Sequence, residues 1–158
     1  MARNYYQIVD FYQHLKNPDK YKGTRPLTMR SGWEIQYAQY LDGHSAVLEW
    51  SSETIVIPYI SPLDGKPHRY FTDFWYKYLD REGNHQELLV EVKPAQEVLL
   101  VEHPTPPKRM TKGAIDRIQA AMKNGAKWKY ARRWCEQEQK KGRKISFAII
   151  TENEFPFK

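Results

Sequence analysis

The chain has 158 residues, 41% hydrophobic and 14% aromatic, enough to bury the core of one domain and too apolar for a disordered chain. Cys135 is the sole cysteine, which excludes an internal disulfide and a zinc cage built of this chain's thiolates. The net charge of +6 is unevenly placed: residues 108–144 hold thirteen Lys or Arg against Asp116, Glu136 and Glu138, giving +10 there and -4 elsewhere. Such a separation makes a directional field that draws in a polyanion.

Residues 1–28 mix Tyr, Lys, Asn and Pro without a sustained period and read as an N-terminal arm to a core over 29–151, the whole of 1–158 forming one domain. No apolar run approaches the roughly 18 residues that span a bilayer, and the polar start lacks a signal peptide's apolar core, so a soluble cytoplasmic protein is expected. Ser31 followed by Glu34 matches a capping box, and Trp33, Tyr37, Tyr40 and Leu41 recur at helical spacing up to Asp42-Gly43. A short helix with one aromatic face follows from that pattern.

Four β-type runs come next: AVLEW, ETIVIPYI, HRYFTDFWYKY and QELLVEVK, each rich in branched or aromatic residues. The loop Asp80-Arg81-Glu82-Gly83-Asn84 predicts that the last two form a hairpin. The prolines of 103–108 mark a crossover loop. Beyond it, Thr111 caps a helix expected to end at Asn124-Gly125, a second helix runs from about Ala126 to Lys141, and ISFAIIT closes as a buried strand.

Chemistry concentrates in the hairpin. Strand periodicity puts Glu91 and Lys93 on one face, and a hairpin centred near Glu82 sets Asp73 directly opposite Glu91. Two facing carboxylates repel unless a cation lies between them, and oxygen donors suit a hard ion such as Mg2+. Together with Lys93, such a site suits phosphodiester hydrolysis. The opposing reading of the triplet is a solvated strand edge with alternating charges. Glu34 is fully accounted for by the capping box on spacing alone. His14, His44, His68, His85 and His103 show no paired ligand spacing and receive no role. In the basic half, Lys112, Lys127, Lys129, Arg132 and Arg133 are candidate contacts to DNA phosphates, with Trp128 and Trp134 packing inward or supporting their stems.

The order Glu34, Asp73, Glu91-Val92-Lys93 resembles the PD-(D/E)XK nuclease superfamily, with Thr72 standing where the family name has proline. The segments KYKGTRPLTMRSGWE, SSETIVIPY, GKPHRYFTDFW, VEVKP and AKW are similar in order and spacing to the head completion nucleases of contractile-tailed phages. The resemblance implies an α/β restriction-endonuclease-like core, a mixed central β-sheet flanked by helices. It implies Mg2+, with Mn2+ as a substitute, bound by Asp73, Glu91 and the Val92 carbonyl, and Glu34 as an additional acid directly or through water. Lys93 would be the catalytic lysine, DNA the substrate, and phage head or portal proteins the partners. The setting would be the cytoplasm of the infected host, with association to the virion. Two other readings are a non-cutting head assembly protein that binds DNA or portal, and the endonuclease subunit of a heteromeric transposase, whose pattern is related.

Overall fold

Ser31 opens the first helix as expected: its hydroxyl accepts the Glu34 N–H, and α1 runs Gly32–Gly43, burying Tyr37, Ala38, Leu41 and Asp42. The computed structural model describes residues 10–155, so residues 1–9 of the expected arm lie outside the described residues. The rest of that arm is part of the core. Phe11, Tyr21, Leu27 and Met29 are buried beside α1, and Tyr21 bridges to Trp50 in the sheet.

The strands are β1 Val47–Ser52, β2 Val56–Ile60, β3 Pro67–Phe71, β4 Phe74–Leu79, β5 His85–Val92 and β6 Ile145–Ile150. Four make a mixed sheet in the order β1-β4-β5-β6, antiparallel except for the parallel pair β5–β6; β2 and β3 form a separate antiparallel ribbon. Neighbouring residues point to opposite faces, so Val90 packs with α1 and residues 11–29, whereas Leu89 packs with the ribbon and the long C-terminal helix.

Four expectations are corrected. The single strand expected over 68–78 is two strands in two sheets, because the chain turns at Thr72-Asp73. There the Thr72 amide and hydroxyl both donate to the Ile55 carbonyl, and the Asp73 carboxylate takes the Val92 N–H where a ladder bond would continue. The segment after β5 was given no helix, yet α2 spans Ala95–Glu102. The two helices expected beyond Thr111 are one, α3 Lys112–Lys140, uninterrupted at Asn124-Gly125. Gly125 lies where α3 meets α2, and a Cβ on it would make ordinary contact, 3.4 Å from Val101 Cγ1. The final strand is less buried than expected, with Ile145 alone fully enclosed.

Candidate active site

The turn at Asp80–Asn84 sets the position of the acids. Asp80 and Asn84 are joined by an N–H···O bond of 2.9 Å, Gly83 takes a left-handed φ of 81°, and the β4–β5 register runs from Leu79↔His85 to Phe74↔Val90. The ladder ends at Phe74↔Val90; beyond it Asp73 meets β5 through its side chain, which accepts the Val92 N–H, and the charge of Glu91 acts on its carboxyl. Glu91 shares the Leu89 face, toward α3, and Lys93 Nζ lies 3.6 Å from Glu91 Oε1.

Both carboxylates are held by neutral donors. Asp73 Oδ2 accepts the Val92 N–H at 2.8 Å, and Glu91 Oε2, on a residue only 6% exposed, accepts the Tyr70 hydroxyl at 2.7 Å. Burial pushes the Asp73 carboxyl well above the usual carboxylate range, and the charge of Glu91 pushes it further. Glu91 is also raised by burial, against the opposing effects of the Tyr70 hydrogen bond, Lys93 and Lys127. Glu34 is raised by desolvation, and its carboxylate feels Glu53 and Glu91. Its Oε2 accepts the Arg30 N–H at 3.0 Å, one residue ahead of the cap, so the helix start accounts for this side chain only in part.

Glu53 and Tyr70 belong to this neighbourhood and were missed in the sequence. Glu53 has a left-handed φ of 54°, its N–H donates to the Asp73 carbonyl at 3.2 Å, and its carboxylate pairs with Arg30. Tyr70 had no distinguishing mark within an aromatic run. A register linking β3 to β5 across the turn at Thr72 would have been needed to find it.

The donor set fits a hard divalent cation. It holds carboxylates and no histidine or thiol, and the raised acids repel one another in a way that a cation would relieve. Among the described residues no three acid, histidine or cysteine side chains converge closely enough to hold an ion between them. Asp73, Glu91 and the Val92 carbonyl are the oxygen donors that could hold such an ion.

The basic candidates separate around α3. Trp128, Ala131 and Cys135 are its buried stripe; Lys127 and Arg132 flank that stripe on opposite sides, while Lys129 and Arg133 are exposed on the outer face. Lys127 is half-buried and lies within electrostatic reach of Glu91, Asp73 and Lys93. Lys112, in the first turn, is exposed. The expected cluster of phosphate contacts is thus divided between the site and the outer surface.

A family model described as the TnsA-like endonuclease N-terminal domain matches residues 44–152. The head completion nuclease of Enterobacteria phage T4 is 37% identical over 143 residues, covering 87% of each chain. No solved structure matches the chain significantly.

Proposed function

The chain belongs to the TnsA-like endonuclease family, of the PD-(D/E)XK type, and is a DNA endonuclease; on that premise we propose that it cuts with Mg2+ at Asp73, Glu91 and Lys93 in phage head completion. The observation that supports the site is the meeting of Asp73 and Glu91 at the end of the β4–β5 hairpin, where Asp73 accepts the Val92 N–H, Glu91 is buried, and the Lys93 ammonium lies 3.6 Å from Glu91. The relative's identity across 87% of both chains favours the phage role over the transposase-subunit reading, and with it the infected host's cytoplasm and head or portal partners.

Asp73, Glu91 and the Val92 carbonyl would hold the ion, with Glu34 acting directly or through water. Bound there, Mg2+ supplies Lewis-acid stabilisation of the charge that builds on the phosphoryl oxygens. The Val92 N–H and the Tyr70 hydroxyl fix the two carboxylates, so the site reorganises little during reaction. Lys93, already beside Glu91, neutralises charge developing on the phosphate or orients the attacking water.

The test is incubation of the full chain with supercoiled and linear DNA in Mg2+ or EDTA, for the wild type and D73N, K93M and E34Q. Cutting should require the ion, and D73N and K93M should each lose about a thousandfold or more while melting as cooperatively as the wild type. Full activity in either would sink the site assignment. Gln can still accept the Arg30 N–H, so E34Q should stay within about 1 kcal/mol of wild-type stability and still lose activity by orders of magnitude. An active E34Q protein would leave Glu34 as a helix-start residue only.

A further inference from the structure

Lys127 is a half-buried cation without a hydrogen-bond acceptor. Among the described residues it enters no ion pair and donates no hydrogen bond, although Glu97 and Asp116 line the same cleft. Its Nζ rests instead over two aromatic faces, 5.4 Å from the centroid of Tyr70 and 6.0 Å from that of Tyr59. Both tyrosines are 2% exposed, and the following residue, Trp128, is equally buried, so platform and helix are both fixed. Tyr70 is also the residue whose hydroxyl grips Glu91. Lys93 lines the cleft as well.

A half-buried ammonium gives up part of its hydration, which the ring faces replace only in part, and an anion entering the cleft would complete its shell. The anion that a DNA endonuclease brings to such a place is a phosphodiester. A phosphate contact made only for grip belongs on the exposed surface, where Lys129 and Arg133 are; Lys127 instead sits within the fields of Asp73, Glu91 and Lys93. We propose that Lys127 is a second catalytic lysine, whose ammonium, held on the Tyr59–Tyr70 platform, contacts a non-bridging oxygen of the scissile phosphate. It stays protonated throughout and transfers nothing; it stabilises charge that grows in the transition state. This assignment rests on the Asp73–Glu91 reading of the reacting centre.

The experiment compares wild type, K127M, K127Q and D73N in single-turnover cleavage at saturating DNA, duplex binding in EDTA, and thermal shift with Mg2+ alone. K127M keeps the apolar stem and K127Q a polar tip, so a packing loss cannot account for a deficit shared by both. Each should cut about a hundredfold or more slowly while binding duplex within about threefold of wild type. Removing a cation beside the acids should also lower the Mg2+ concentration that gives half of the thermal stabilisation. A phosphorothioate at the scissile position should slow the variants by a smaller factor than it slows the wild type, since oxygen and lysine then act through one contact. Wild-type rates in both lysine variants, or an unmoved Mg2+ midpoint, would overturn the proposal. If D73N is inactive while both lysine variants cut normally, only this inference fails; if D73N cuts normally, the reading of the whole site fails with it.

Discussion

Asp73 and Glu91 are each more easily ionised in the unfolded chain than in the folded one, and this fixes the sign of a pH effect. Their usual values are 3.8 and 4.5, and both are raised on folding. Below the usual values the acids are protonated in both states and cost nothing. As pH rises, the unfolded chain ionises first, so stability is lost progressively until the raised folded values are passed. Asp10, Asp80 and Glu154 are lowered by hydrogen bonds and pull the opposite way, losing their contribution as pH falls through their folded values. The difference between D73N and wild type isolates the site. In EDTA, the advantage of D73N in melting temperature should grow as pH rises above the usual carboxylate range, and saturating Mg2+ should erase it. A difference that is constant across this range would mean that folding does not raise the Asp73 carboxyl.

At the level of elements, Gly125 shows how a sequence signal acquires another cause. Asn-Gly commonly ends a helix, yet here α3 continues, and the missing side chain admits Val101 of α2. A Cβ at 3.4 Å from Val101 Cγ1 is ordinary contact, so G125A should relieve the helix-interior glycine cost of roughly 0.5–1 kcal/mol. Its melting temperature should rise by about 1–4 °C, whereas G125L should force α2 outward and fall below wild type. A G125A protein that melts well below wild type would show that the contact tolerates no added atom. The same pair of helices marks where the sequence ceased to be legible. α1 and the β4–β5 hairpin were readable because a cap, a polar turn and short-range periodicity define them locally, and the strand register followed by counting as far as Phe74↔Val90. By contrast, EVLLVE has an apolar run that suits strand or helix alike, and only packing against α3 decides between them. The break at Thr72-Asp73 was hidden because its causes, the Ile55 carbonyl and the Val92 N–H, are distant in sequence. For the same reason the candidate acids and Lys93 could be nominated from the strand pattern, while Tyr70, Glu53 and the ring platform under Lys127 could not.

Over the whole molecule, the basic stretch becomes one 29-residue helix laid across the face that carries the acids. Arg132 lies 5.6 Å from the Phe147 ring centroid and Arg133 5.7 Å from that of Tyr130, so both exposed guanidinium groups are partly ordered before DNA arrives. R132Q/R133Q should weaken binding equally for unrelated sequences and flatten the plot of log affinity against log salt by up to about 2, at roughly 0.9 per lost phosphate contact. The rate at saturating DNA should change far less, since a remote contact holds ground state and transition state alike. An unchanged slope would mean that these arginines form a solvated face or serve a protein partner instead of DNA. The parallel pairing of β5 with β6 has a consequence for the order of folding. The hairpin that aligns Asp73 with Glu91 is local and can close within about microseconds, whereas β6 reaches β5 only after residues 93–144, with α2 and α3, have been placed. The segments that carry the two acids can therefore be joined before α3, which carries Lys127, has been placed. A chain still being synthesised carries the paired acids of a nuclease before it has the site of one.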